Sequence, residues 1–408
     1  MNERKIYKIE EIIEKVGMGP FGSSIKVETF VADGIPVISG THLKGTRLED
    51  KDFNFISIEH ADKLKNANVK RGDVIFTHAG NIGAVAFIPE NSRYERYILS
   101  QRQFYLRCNK EKLLPEYITY YFKTPLGQRQ LLANTSSVGV PSIAQPVTYL
   151  RSIEVEIPII KEQEQVINIL DALENKIELN LQMNQTLEAM AQALFKEWCC
   201  VEEGIVPKGW SMKKLSDIAD VSSSKRIFRE EYTLIGIPFY RGKEVTQLSN
   251  GESISTELFI SNERYNEIKE KFGVPQIGDI LITSVGTIGS VWLIDNNLPF
   301  YFKDGNVTWI KDYKTGINGA FVYQWLQTKE AKEQIKSVTI GSTQEALTIS
   351  ALKGLDILIP DKETVFNVCN QLESLNAKRI NNINQIQTLT QTRDTLLPKL
   401  MSGKIEIV

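Results

Sequence analysis

At 408 residues the chain exceeds one ordinary domain, and two or three are expected. Its 42% hydrophobic and 24% charged content suits a folded soluble protein. Four cysteines without C-x-x-C spacing and three histidines (His42, His60, His78) supply no zinc ligand set, so no intrinsic metal is expected. No apolar run approaches the ~20 residues of a bilayer span, and the N-terminus lacks a secretory core, so a cytoplasmic protein is expected. The net charge of −2 argues against a simple basic DNA binder. Its distribution is uneven: residues 1–160 hold 21 Lys and Arg against 18 Asp and Glu, and residues 161–205 hold 3 against 9.

The chain repeats itself at about half its length. Gly34-Ile35-Pro36 matches Gly236-Ile237-Pro238. Gly72-Asp73 through Thr77, then Gly80 to Gly83, matches Gly278-Asp279 through Thr283, then Gly286 to Gly289. Leu150 through Pro158 matches Leu352 through Pro360. Each half is predicted to open on a short helix (Ile6 to Val16; Leu215 to Val221). A strand pair around the glycine turn follows (Val74 to Thr77 with Ala84 to Ile88; Ile280 to Thr283 with Ser290 to Ile294). Then come a helix (Glu116 to Leu132; Phe321 to Ile335) and a last strand (Ile153 to Pro158; Leu355 to Pro360). Each is a mixed α+β domain.

From Glu162 to Trp198 there is neither Pro nor Gly, and helix formers dominate. Val166, Leu170, Leu173, Ile177, Asn180, Asn184, Leu187, Ala191, Leu194 and Trp198 alternate spacings of four and three, an a/d seam. The second half repeats it at Val368, Leu372, Leu375, Arg379, Asn382, Ile386, Leu389, Arg393, Leu396 and Leu400, with Pro398 expected to bend or end the helix. Both seams turn polar at the centre, which costs stability and fixes register. The fold expected is α+β: two similar domains, residues 1–160 and 205–360, separated by an antiparallel coiled coil of the helices in 161–204 and 361–408, with pseudo-two-fold symmetry. Pairing between two chains is the alternative the spacing leaves open.

Enzyme motifs are nearly absent. Gly17-Met18-Gly19-Pro20-Phe21-Gly22 fits G-x-G-x-x-G, but a helix-like run precedes it and Pro20 interrupts it, so it reads as a plain loop. The second half has Val221-Ser222-Ser223-Ser224-Lys225-Arg226 there. No P-loop, G-x-S-x-G or Asn-Pro-Pro-aromatic tetrapeptide is present. Two related but divergent domains on a spacer suit a split, asymmetric DNA target, because two-fold readers contact half-sites ~34 Å or a multiple apart. A methyltransferase acting alone and a coiled-coil adaptor without a DNA role are the rival readings.

In order along the whole chain, Gly19-Pro20-Phe21-Gly22-Ser23, the repeated Gly-Ile-Pro and Gly-Asp pairs, Gly341-Ser342-Thr343-Gln344, Glu164-Gln165 through Asn180, Leu194-Phe195-Lys196-Glu197-Trp198, and Leu397 through Ile405 resemble the specificity subunit of type I restriction–modification systems. The second helix departs from the pattern, with Lys362-Glu363-Thr364 where Glu-Gln would stand. The resemblance implies a non-catalytic subunit that reads bipartite double-stranded DNA through two target-recognition domains. It implies no cofactor in this chain: two modification subunits bind S-adenosylmethionine and methylate adenine, and restriction subunits, when present, use ATP and Mg. The acidic first helix would suit a basic partner surface. The expected DNA contacts, beside the repeated glycines, are Ser39, Thr41, His42, Lys44, Arg47, Thr77, His78, Asn81, Gln101 and Arg102 in the first domain. In the second they are Tyr240, Arg241, Lys243, Thr283, Ser284, Thr287, Lys303, Asn306, Thr343 and Gln344. Arg suits guanine, Asn and Gln suit adenine, and other cations suit phosphates. The loops Ser136 to Gly139 and Gly341 to Gln344 are further backbone-binding candidates.

Overall fold

A computed structural model describes residues 4–22, 24–136, 139–201, 206–252, 254–341 and 345–405. They gather into two compact units, residues 1–177 with 388–408, and residues 178–387. This division cuts each long helix, where the sequence reading set both helices apart as separate segments.

The first unit carries a four-stranded antiparallel sheet in the order Ile13–Met18, Gln103–Cys108, Asp73–Thr77, Val85–Phe87. A five-stranded sheet runs in the order Phe30–Val31, Asn54–Ile56, Ile35–Ile38, Arg96–Leu99, Asn68–Lys70. The strand Asp73–Thr77 is buried throughout, and its side chains alternate between two cores. Val74 and Phe76 join Phe104, Tyr117 and Phe122, while Ile75 joins Val37, Ile98 and Tyr105.

The second unit repeats the four-stranded order with Asp220–Ser222, Val307–Lys311, Ile280–Thr283 and Val291–Leu293. Its other sheet has four strands, Tyr232–Thr233, Phe259–Ile260, Ile237–Tyr240 and Tyr301–Phe302. Ile280 and Ile282 face one core and Leu281 another, with Tyr240, Trp292 and Trp309. The repeated Gly-Ile-Pro has a steric cause. Gly34 and Gly236 hold φ of 156° and 141°, and a Cβ there would lie 2.2 and 2.3 Å from the carbonyl oxygens of Ile56 and Ile260.

Four expected helices differ. The opening helix Ile6 to Val16 is a strand Lys5–Lys8, one 3-10 turn Ile9–Glu11 and a strand Ile13–Met18. Ile9, Ile12 and Val16 are all buried, and their helix-like spacing arises from a turn and a strand in succession. Lys5–Lys8 is held extended by pairing with Glu154–Ile157. In the second half only Leu215–Ile218 is helical, between strands Ser211–Lys214 and Asp220–Ser222. The single helices expected after the sheet are each two: Pro115–Lys123 and Pro125–Leu132, then Gly319–Gln327 and Lys329–Val338. Thr124 and Thr328 are extended and cap the following turns, accepting from Gly127 N and Ala331 N.

The long helices span Ile160–Cys199 and Lys362–Met401. Pro398 does not end the second. One turn remains beyond it, and Leu397, Leu400 and Met401 are anchored in the core beside Val166, Ile167 and Leu170. In the first unit Arg393 pairs with Glu174 at 3.1 Å. In the second unit Asn382 donates to Asn184 at 2.9 Å and Asn180 to Gln385 at 3.2 Å, while Ala191 and Phe195 share a core with Val368 and Leu372. Within each unit, rising numbers on one helix meet falling numbers on the other, so the pairing is antiparallel and intramolecular. Leu173, Leu187, Leu194, Leu375, Ile386, Leu389 and Leu396 are half-buried along the seams, and Ile177 is buried. Trp198 leaves the seam at 42% exposure, and Phe195 and Cys199 are buried instead. A straight helix drifts ~20° per heptad from a 3.5-residue repeat, enough to change the inward positions after several heptads.

Candidate nucleic-acid interface

In the first unit, strands of both sheets end at one edge. Asp73–Thr77, Ile35–Ile38 and Arg96–Leu99 lead into turns there, and Gln103–Cys108 starts there opposite Thr77. Backbone bonds lace the turns together. His78 N donates to Arg102 O (2.9 Å), Ile143 N to His78 O (2.8 Å), Ser100 N to Ile38 O (2.8 Å) and Gly83 N to Thr77 O (3.2 Å). The second unit builds the same lattice: Ser284 N to Asn306 O (2.8 Å), Leu347 N to Ser284 O (2.9 Å), Lys303 N to Tyr240 O (2.8 Å) and Gly289 N to Thr283 O (3.0 Å). Gly80, Gly83, Gly286 and Gly289 hold φ between 80° and 84°, a left-handed conformation that tightens these turns.

The structure sorts the expected contacts. Thr41, Lys44, Asn81, Gln101 and Arg102 are exposed on the first edge, and Ser39 and His78 are half-buried beside them. His42 is buried at 6% exposure. Its Nδ1 accepts from Ser39 N at 2.9 Å and its ring packs tilted against Phe53 at 4.5 Å, so it supports the turn rather than facing solvent. Burial pushes the imidazoles of both His42 and His78 below the ordinary histidine value. Thr77 is buried, with Oγ1 unpartnered among the described residues. Arg47 turns to the first long helix, 3.0 Å from Asp171 and 2.5 Å from Asn175.

On the second edge Lys243 and Thr287 are exposed, and Arg241, Lys303 and Asn306 are half-buried. Tyr240 is a core residue, stacked 4.8 Å from Phe300. Thr283 and Ser284 are buried: Thr283 Oγ1 accepts from Ser290 N at 2.9 Å, and Ser284 Oγ lies 2.7 Å from Thr308 Oγ1. Arg241 is clamped by Glu244, at 2.8 Å through Nη2 and 3.3 Å through Nε. Thr343, Gln344 and most of the two loops Ser136 to Gly139 and Gly341 to Gln344 lie outside the described residues.

Sequence reasoning missed a charge signal. The sequence stretches running to and from the first edge, 15–27, 34–48, 74–89, 96–110 and 117–153, contain no Asp or Glu, although the chain has 50; Glu49, just past one of them, is paired with Lys44 at 3.9 Å. On the second edge 232–243, 280–294 and 305–311 are likewise free of them, and of the two aspartates between, Asp295 is paired with Arg379 at 3.0 Å and Asp304 with Arg226 at 2.7 Å. Segment sums dilute this signal; it emerges once the turns are seen to converge. Such an edge suits a polyanion. Among the described residues no cluster of three His, Cys, Asp or Glu could hold a metal, and no helix is long and apolar enough to cross a membrane.

The type I restriction modification DNA specificity domain matches the chain twice, over residues 1–189 and 207–395. The chain belongs to this family. It is a DNA sequence-recognition subunit of the type I restriction–modification class. The specificity chain is 26% identical to the type I restriction enzyme MjaIX specificity subunit of Methanocaldococcus jannaschii, covering 98% of this chain and 93% of that one. It is 23% identical to the HindI specificity subunit of Haemophilus influenzae, over 83% and 87%. The crystal structure of a type I restriction–modification S subunit from M. genitalium shares the fold at TM-score 0.60 and 15% identity, covering 100% of this specificity chain and 97% of that one.

The two long helices are anchored differently at their starts. Gln163 is fully buried in the first unit, accepting from Leu114 N and donating to the carbonyls of Lys112 and Pro158, all at 2.9 Å. In the second unit the corresponding Val365 lies in the apolar core, and Asp361 caps the helix, accepting from Glu363 N and Thr364 N. Val365 in place of Gln163 thus exchanges a polar anchor for an apolar one, just beyond Lys362-Glu363-Thr364.

Proposed function

We propose that the chain is a non-catalytic reader of a bipartite, asymmetric duplex target, with one half-site per recognition domain. The observation carrying this is the shared backbone lattice: equivalent hydrogen bonds hold different side chains at equivalent places. His78 corresponds to Ser284, and Gln101 and Arg102 lie where Lys303 to Asn306 lie in the other domain. An identical scaffold with divergent side chains presents two different donor and acceptor patterns to base edges.

Methyl transfer and any cleavage belong to partners. Two modification subunits carry S-adenosylmethionine and receive the flipped adenines. Restriction subunits, where they occur, supply ATP- and Mg-dependent nuclease chemistry. The relatives are named as subunits of restriction enzymes, which supports assembly of this kind. The test is methylation mapping after co-expression with a modification (methyltransferase) subunit that assembles with this chain. Replacing residues 1–160 by those of another specificity subunit should change one half of the methylated motif and leave the other. A change in both halves, or no methylation that depends on this chain, contradicts the proposal.

A further inference from the structure

Phe21 is 78% exposed, although a large aromatic ring ordinarily gains by burial. Its loop is pinned to the recognition edge at several points. Gly19 N donates to Gln103 O at 2.9 Å, and a Cβ on Gly19 would come 1.9 Å from Ser100 O, so only glycine allows this approach. Ser24 Oγ donates to Phe21 O at 2.9 Å, and Gln101 Nε2 donates to Gly22 O. Gly22 turns the chain back at φ 65°. The ring is thus presented beside Gln101 and Arg102, within stretches that contain no acidic residue. Arg102 is exposed and makes no ion pair among the described residues.

We propose that Phe21 is an apolar base contact of the first recognition domain, its ring set against the bases of that half-site while Gln101 and Arg102 supply polar contacts. This rests on the DNA-reading function proposed above. Apolar side chains serve this role against a thymine methyl or wedged at a base step. Because Phe21 packs on little of its own domain, its removal should leave the fold intact.

The test compares the wild-type complex with its modification subunits against Phe21→Ala and Phe21→Leu on the mapped target. Phe21→Ala is expected to weaken target binding about tenfold, within the range for base–aromatic contacts, with Phe21→Leu between it and wild type and the thermal midpoint unchanged. Two DNA probes distinguish the modes, both confined to the half-site of the first domain. Thymine replaced by uracil reports a methyl contact if wild type loses affinity there and Phe21→Ala does not. A 2-aminopurine at successive positions reports a wedged step if its fluorescence rises only with wild type. Equal binding by Phe21→Ala and wild type, with neither probe responding to the residue, overturns the contact. Failure of the wild-type complex to select its site overturns the DNA-reading function itself.

Discussion

The side-chain amide of Asn382 donates to Asn184 Oδ1 at 2.9 Å inside the helix pair, with Asn382 only 5% exposed. Asparagines that meet only in one alignment penalise every shifted register, because a slip leaves each facing an apolar neighbour. Asn382→Leu should therefore cost about 1–3 kcal/mol by orphaning Asn184. The double variant Asn184→Leu/Asn382→Leu should recover much of that loss. Urea midpoints of the four proteins form a double-mutant cycle; additive single effects would show that the pair does not couple.

Arg4 caps the end of the second long helix. It donates to Met401 O at 2.5 Å and Leu400 O at 3.3 Å while pairing with Glu162 at 2.8 Å. A cation at carbonyls left over by a helix C-terminus is favourable by both hydrogen bonding and the helix dipole. Arg4→Ala is expected to lower stability by about 1–3 kcal/mol, and Arg4→Lys by less. An unchanged urea midpoint for Arg4→Ala would show that the cap contributes nothing.

Glu244 links Arg241 to the second domain's turn. Burial alone would raise its carboxyl, but the hydrogen bonds from Arg241 outweigh it and hold the group below the ordinary glutamate value of 4.5. A depressed carboxyl binds fewer protons folded than unfolded. Its stabilisation is therefore complete above about pH 4.5 and lost as pH falls through the lower, folded value. Glu244→Gln should destabilise the protein at neutral pH and narrow that gap in acid. Unfolding curves from pH 3 to 7 for both proteins measure it; parallel curves would refute the linkage.

His42 and Arg102, both expected as DNA contacts, should part company. His42→Ala removes a buried ring packed against Phe53, so thermal stability should drop by about 1–3 kcal/mol with the methylated motif unchanged. Arg102→Ala should leave the melting curve alone and weaken DNA binding, reducing the salt slope by about 1 if it holds a phosphate. Altered motif specificity with His42→Ala would mean that its ring reaches DNA.

Periodicity over forty residues made the paired helices legible. Repeated glycines located the turns, since positive φ at Gly80 and Gly286 and close approach at Gly34 and Gly236 admit no other residue cheaply. Local spacing failed where a partner strand decided the conformation. Ile9, Ile12 and Val16 mimic a helix face, yet strand pairing at Lys5–Lys8 and Ile13–Met18 makes the flanking segments extended. Nor does local spacing give exposure: Tyr240, Thr283 and Ser284 sit at the expected turn and are buried.

By itself, then, the order of residues settled the duplication, the two long helices, their polar centres and the family, because these follow from short-range pattern and from likeness along the chain. Tertiary structure alone decided which side chains reach solvent at the recognition edges, that acid-free stretches far apart in sequence converge there, and that Phe21 stands out beside Gln101. Side-chain burial and the summed field of a surface depend on neighbours brought together by folding, and no local pattern encodes them.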